Sequence, residues 1–330
     1  MNTASDMPAR RPPGRLVRAG DTQFIASLLT KAKADSKHTA SAEELAAIWN
    51  SPAEIRDAVF IHRTLCQIGF PREDPKQRRY ERRYLSTHLL IESGSLFMGQ
   101  NRGWVEQCVP FGAYARIIMS ILTAKAVKSR NPAVDIGRSA GDFLRRELDK
   151  SVGGSQYRLM LRQLQALAAC RISFGEQSLP SGPKTQSKLL FKEINWGTEE
   201  RKPLQWPGQM EFTADQYADL MAGAAVPLDH RHVFWLAKRG GCLAIDIYSW
   251  ASQRLRRVTE GKGIPIGWQA LKEQFGQDYR NLDDFRKEFK RALGQVRLVY
   301  RDARIDQHRN GIRIFNSRPP IPERLIAAVA

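Results

Sequence analysis

Cysteine is scarce and scattered: Cys66, Cys108, Cys170 and Cys242 are the only four. No two form a C-x-x-C pair, so neither a zinc cluster nor a disulfide framework is expected. Each reads instead as a small buried apolar residue in a reducing compartment. Long apolar runs are missing as well, and nothing approaches the roughly 20 residues that a membrane helix needs. Met1 to Gly20 has no apolar core of the kind a secretory signal requires; it holds Arg10, Arg11, Arg15, Arg18 and three prolines. A cytoplasmic chain without a membrane partner is the expectation.

Catalytic patterns are absent too. Gly182-Pro183-Lys184-Thr185 lacks the glycine spacing of a P-loop. His230-Arg231-His232 has the spacing of a nickase metal pair but places Arg where a hydrophobic residue belongs, and no further ligands cluster near it. Asp229 before it reads as a helix cap. No Ser/His/Asp set or carboxylate pair stands out. The expectation is no catalytic residue, no metal ligand, no cofactor and no enzyme.

What the chain has is positive charge. Lys and Arg number 52 against 34 Asp and Glu, a formal net charge of +18. Such a balance concerns partners, and the fitting partner is nucleic acid. With 330 residues and 42% apolar content, two domains can each bury a core.

Residues 1–40 read as a basic, disordered tail. Ser41 to Glu44 has the form of a capping box opening a helix, and a second helix is expected from Pro52 to Gln67. Pro71 to Tyr84 reads as a charge-dense link. Strands follow at Leu85 to Ile91 and Leu96 to Met98, joined at Ser93-Gly94. Gly112 to Ser129 carries a buried stripe at helical period.

One pattern then occurs twice. Val134 to Ile136 reads as a strand, followed by a helix capped by Ser139, a turn at Gly153-Gly154, and a longer helix capped by Ser155. Arg171 to Phe174 and Leu189 to Trp196 are its expected wing strands, with a long loop from Gly175 to Ser187. Ile264 opens the second copy: a helix from Gly267 to Phe275, another from Asn281 to Leu293, then strands at Val296 to Tyr300 and Ile312 to Phe315. A long helix precedes each copy, the second running from Cys242 to Val258. That order is a winged helix-turn-helix. The predicted fold is α+β, mainly helical, with two tandem winged-helix domains at 41–200 and 209–318. A linker at 201–208 joins them, and a C-terminal tail covers 319–330.

In the second copy Leu282, Phe285, Phe289 and Leu293 share one helical face. The opposite face holds Arg280, Asp284, Lys287, Lys290 and Arg291, with Asp283 nearer the helix N-terminus. Such a helix suits the major groove. Arg297, Arg301, Arg304, Arg309 and Arg313 are expected on the adjoining wing strands and loop, where they would meet the DNA backbone. The first copy offers only Arg158, Arg162, Gln156 and Gln163 on its outer face. It can serve as an auxiliary DNA reader or a protein interface.

Gly69-Phe70-Pro71-Arg72, Val109 to Arg116, and Asp135 to Ser139 through Phe143-Leu144 resemble signature stretches of plasmid-encoded RepA replication initiators. So do Gly153-Gly154 and Gln163-Leu164. Phe111 and Ala113 stand where that family often has Tyr and Ser. The resemblance implies an initiator that binds repeated sites, iterons, on double-stranded plasmid origin DNA. It further implies origin opening, recruitment of the host initiator and replicative helicase, dimers acting in copy control, and a nucleoid or plasmid location. A winged-helix transcriptional regulator is the alternative, and a rolling-circle nickase a lesser one.

Overall fold

The computed structural model describes residues 36–99, 101–148, 154–178, 182–192 and 208–327. The expected tail before residue 36, the Gly153 end of the first turn and nearly all of the 201–208 linker lie outside them. Residues Met1–Asn50 and Ser51–Ala330 are separate compact units. The first holds helix α1 (Ser36–Asn50). It begins before Ser41, so the expected capping box falls inside the helix; no Gly or Pro between Ser36 and Asn50 interrupts it.

Two helices form the centre of the second unit. In α3 (Gly112–Ser129), Ala115 to Ala124 is buried without a break. In α8 (Gly241–Arg254), Leu243 to Gln253 is buried likewise. Burial on every side marks both as core helices rather than amphipathic surface ones.

Strand β1 (Ala58–His62) pairs antiparallel with β10 (Ala225–Asp229). This replaces the middle of the expected helix from Pro52 to Gln67, of which a 3-10 turn at Ile55–Asp57 and α2 (Arg63–Gln67) are helical. Ala58-Val59-Phe60-Ile61-His62 is buried throughout. Its partner lies far away in sequence, so periodicity alone offered no sign of it.

The expected charge-dense link contains an edge strand. β2 (Arg79–Tyr84) pairs with β3 (Thr87–Glu92), and the hairpin continues into β7 (Arg171–Ser178) and β8 (Gly182–Leu189), in the order β2-β3-β7-β8. Tyr80, Arg82 and Tyr84 turn inward at period two while Arg79, Glu81 and Arg83 are exposed. Ser93-Gly94 does not close a hairpin: β4 (Ser95–Phe97) pairs with β5 (Trp104–Glu106) instead. The β7–β8 ladder runs out to Ser178 opposite Gly182, so most of the expected Gly175–Ser187 loop is strand. Of the expected strand at Leu189 to Trp196, Leu189 ends β8 and Phe191 forms an isolated bridge to Phe212, while residues 193–196 lie outside the described residues.

The first repeat keeps its helices, α4 (Ala140–Leu148) and α5 (Gly154–Ala169). Ser139 Oγ accepts from the Asp142 N–H at 3.0 Å. Its strand β6 (Ala133–Asp135), however, pairs with β9 (Gln209–Glu211) rather than with the wing.

After the short α6 (Ala214–Asp219) and after β10 come α7 (His230–Arg239) and then α8. The second repeat follows: β11 (Ile264–Gly267), α9 (Trp268–Phe275), α10 (Leu282–Val299), β12 (Ile305–His308) and β13 (Gly311–Ile314). The sheet order β11-β13-β12 closes this copy on itself as a winged helix. Val296 to Tyr300, expected as a strand, is the end of α10 and its cap. Val296 and Val299 continue the buried stripe of Phe289 and Leu293. The short α11 (Glu323–Ala327) lies within the expected C-terminal tail. The β1–β10 and β6–β9 pairs join residues on opposite sides of 201–208.

One buried ion pair ties these parts together. Arg116 of α3 donates from Nε and Nη2 to Asp246 of α8 at 2.7 and 2.9 Å. Nη2 also donates to Phe70 O at 2.6 Å, and Nη1 donates to Pro71 O at 3.1 Å and Gly112 O at 2.9 Å. All five guanidinium donors are thereby used. Burial opposes the charge on Arg116, but Asp246 more than reverses this and raises its pKa. Gly69 leaves room for the pair, since a Cβ there would lie 2.7 Å from Asp246 Oδ1.

The free cysteines sit apart, with Cys66 and Cys170 buried and Cys108 and Cys242 partly so. Burial pushes the Cys170 thiol up to about 12. Among the described residues no helix is long and apolar enough to cross a membrane.

Asp229 caps α7 as expected. Its carboxylate accepts from the Arg231 N–H at 3.0 Å and from Arg231 Nε and Nη2 at 3.0 and 2.6 Å. Burial alone would raise its pKa, but the Arg231 hydrogen bonds and the nearby His232 bring it below the usual carboxylate value.

Two stability predictions follow from these sites. Arg116→Met strands a buried carboxylate and should cost about 3–5 kcal/mol in urea melts, with R116M/D246L recovering most of it. Because the folded pKa of Asp229 is depressed, its stabilisation is present above the unfolded value, about 3.9, and is lost as pH falls through the folded value. Asp229→Asn should therefore be less stable than the parent at neutral pH, and urea melts on the acid side should show the gap closing below about pH 4.

Candidate nucleic-acid interface

The helix-turn-helix is built by α9 and α10. Trp268, Leu271 and Phe275 of α9 are buried, and Gly276 ends the helix by donating its N–H to Lys272 O. A side chain at Gly276 would meet the Phe285 ring 2.4 Å away, so glycine permits the close approach of the two helices. Asn281 caps α10 by accepting from the Asp284 N–H at 2.8 Å. Phe285 and Phe289 pack against each other with ring centroids 5.5 Å apart, and Phe289 meets Trp268 and Phe275 at 5.9 and 5.8 Å.

This core face leaves the opposite face in solvent. Arg280, Asp283, Asp284, Lys287, Lys290 and Arg291 are all exposed, as the helical stripe requires. The acids serve the helix start: Asn281 Nδ2 donates to the Asp284 carboxylate at 2.7 Å, and Asp283 pairs with Arg286 at 3.2 Å. Arg291 pairs with Glu288 at 2.9 Å. The Lys290 ammonium lies 5.4 Å from the Trp268 ring centroid.

Several expected contacts change position. Arg297 is on α10, half-buried, and donates to Ile305 O, bracing the first wing strand from behind. Arg301 lies in the turn after α10, also half-buried. Neither is on the wing strands, because α10 runs two turns beyond the expected end. Arg313 is on β13, and its guanidinium donates to Lys262 O at 2.9 Å. Arg304 and Arg309 are exposed, with Arg304 lying 5.2 Å from the Phe315 ring centroid.

At the wing tip one carbonyl takes two side-chain donors from the helix pair. Arg309 O accepts from Trp268 Nε1 at 2.9 Å and from Arg286 Nη2 at 3.3 Å. Arg286 also lies over the Trp268 ring, 5.5 Å from its centroid. Neither residue was singled out in the sequence. The Trp at the start of α9, with a cation three residues past Asp283 on α10, was the available signal.

The first copy is engaged differently. Arg158 is exposed on α5 beside Gln156, Tyr157 and Leu159. Arg162 forms an ion pair with Asp74 at 2.6 Å and lies over the Phe111 ring. Gln163, expected outside, is fully buried and accepts from the Phe111 N–H at 2.8 Å. It flanks the Met160–Leu164–Leu167 stripe; the backbone donor satisfies its Oε1, while its buried Nε2 has no hydrogen-bond partner.

Among the described residues no three His, Cys, Asp or Glu side chains converge as a metal site. His230 Nδ1 lies 3.0 Å from Asp57 O and His232 Nδ1 lies 3.1 Å from the Tyr248 hydroxyl.

A family model described as plasmid encoded RepA protein matches residues 109–269. The resemblance to RepA initiators is thus borne out over that span. No curated protein matches the chain significantly. Among solved structures, a selenomethionine derivative of domains 2 and 3 of RctB has a TM-score of 0.48 at 12% identity, covering 76% of this chain and 97% of that one. A second structure of RctB domains 2–3 has a TM-score of 0.42 at 11% identity, covering 73% and 92%. Likeness at this level carries no functional argument.

Lys287 and Lys290 stand on the solvent side of α10, away from its packed face. Lys287→Ala should weaken binding to duplex DNA and flatten the salt dependence by about one phosphate contact. Its melting should match the parent's to within about 0.5 kcal/mol. Strong destabilisation in a thermal melt would show that this face packs inward.

Proposed function

We propose that this RepA-type chain is a plasmid replication initiator that binds repeated sites, iterons, in double-stranded origin DNA. The observation that carries this reading is the outer face of α10, cationic and solvent-exposed, with a wing beside it that contacts the helix pair through Arg309 O. A recognition helix enters the major groove with its N-terminal part against base edges. Arg280, just ahead of the Asn281 cap, adjoins that part. Lys287, Lys290, Arg291, Arg304 and Arg309 are the cations for phosphates, which set register and affinity rather than sequence.

The role is non-enzymatic. DNA binding assists opening of the adjacent origin and recruits the host initiator and replicative helicase. Dimers serve copy control, with the first copy as partner surface and auxiliary reader through Arg158, in the cytoplasm alongside the plasmid. The involvement of His230 and His232 with Asp57 and Tyr248 supports a packing role for the pair that most resembled a nickase site.

Binding to origin duplex should weaken steeply with salt. With about five phosphate contacts, log affinity against log salt should have a slope near −4 to −5. A flat slope, or equal affinity for random duplex, would overturn the reading. A plasmid carrying the cognate origin should fail to replicate when the gene is deleted; replication with merely altered expression would favour a transcriptional regulator.

A further inference from the structure

The turn between α9 and α10 does not stand alone. Residues from Gln67 to Arg83, far from it in sequence, contact five positions in the turn and at the end of α9 that leads into it. Gln274 Nε2 donates to Gln67 O at 3.2 Å, and Gln277 Nε2 donates to Arg83 O at 2.6 Å. Arg72 donates to Phe275 O, and its guanidinium lies 5.6 Å from the Tyr279 ring centroid. Arg82 Nη2 meets Asp278 Oδ2 at 2.8 Å.

The Arg82–Asp278 contact is the least expected of these. Arg82 is only 4% exposed, although it belongs to an edge strand, whereas Asp278 is 56% exposed on the turn. A buried guanidinium is costly to desolvate and is retained where its geometry is used. A cavity of about 410 Å³ lies between the two segments, lined by Pro71, Arg72, Tyr80, Asp278 and Tyr279 among others. Packing therefore leaves the turn partly unsupported there, and directional polar contacts hold it instead.

We propose that residues 67–83 form a brace on the helix-turn-helix, with the Arg82–Asp278 ion pair as its latch, and that this latch positions α10 for sequence-specific DNA reading. Arg82 and Asp278 are positioning residues acting through the turn. The inference rests on the DNA-binding function proposed above. Its physical basis is the location of the turn, directly ahead of the N-terminal end of α10. Base-reading side chains cluster at that end of a recognition helix, where a small tilt misaligns every bidentate contact. Phosphate contacts tolerate such a tilt better, because ammonium and guanidinium groups on long stems can follow the backbone.

The sign of the effect separates the latch from simple electrostatics. Removing a carboxylate close to DNA would by itself tighten binding. Asp278→Ala is expected to do the reverse: about tenfold weaker binding to origin duplex, roughly the loss of one good base contact, with binding to random duplex nearly unchanged. The salt slope should stay at the parent's value, since no phosphate contact is lost. Arg82→Ala should behave alike, the double variant should be no worse than either single one, and R82D/D278R should recover much of the specificity.

Titration of the full chain and these variants against origin and random duplexes at several salt concentrations is the test. Unchanged or tighter origin binding by Asp278→Ala would overturn the latch, and so would a slope reduced by about one, which marks a direct phosphate contact. If Arg82→Ala fails to fold in a thermal melt, Asp278→Ala, at a largely exposed side chain, decides the matter. Failure of the parent itself to prefer origin DNA would remove the DNA reading and the latch with it. Parental preference with unaffected variants removes the latch alone.

Discussion

Arg116 is the constraint on which the second unit depends. A guanidinium brought into the core must use all its donors, because each unmet one carries a desolvation penalty. Here the solution enlists three segments that are distant in sequence. Asp246 comes from the central helix α8, Phe70 and Pro71 from the connection after α2, and Gly112 from the first turn of α3 itself. The alignment of α3 against α8 and the path of the chain at Pro71 are set together by one fork of donors. Two glycines make this possible: Gly69 by leaving room beside Asp246, and Gly112 by adopting a positive φ of 77° while donating its N–H to Pro71 O.

This gives a physical reading to the stretches on which the family resemblance rests. Gly69-Phe70-Pro71-Arg72 and Pro110 to Arg116 looked like signatures of a function. In the fold they supply the three carbonyls, the two glycines and the guanidinium of a structural hub. Arg72 extends the hub outward, since it lies 3.9 Å from Asp246 and also reaches the carbonyl at the end of α9. The motif is thus connected to the α9–α10 helix pair by direct contact, without belonging to its exposed cationic face.

The elements legible in the sequence were those whose period is local. The stripe of α10 put Phe285 and Phe289 inside and Lys287 and Arg291 outside, and the caps Ser139 and Asp229 stand where a short polar side chain precedes a helix. What remained hidden depended on distant partners. The strand Ala58–His62 reads as apolar in every register and becomes a strand only through pairing with Ala225–Asp229. The strand Arg79–Tyr84 alternates correctly, but Arg82 fills an inward position and disguises it as a polar link. The end of α10 was missed because Val296 and Val299 suit either period, and that error carried Arg297 and Arg301 onto the wing. The face of the candidate site was therefore readable, while its supports, Trp268, Arg286 and Arg82, were not.

The two copies of the repeat illustrate how pairing decides use. In the second, β11 takes the far edge of its own wing sheet, so helix pair and wing form a self-contained module with one face free. In the first, β6 is drawn off to β9 and the wing hairpin joins β2 and β3 in a larger sheet. Arg162 turns to Asp74 and Gln163 to the Phe111 backbone, so much of its helix chemistry goes into holding the chain together. A copy whose polar groups are committed internally has fewer left for a groove. Sequence similarity between repeats fixes the order of elements, but the destination of the first strand determines whether a copy keeps its outer face free or spends its polar groups on contacts within the chain.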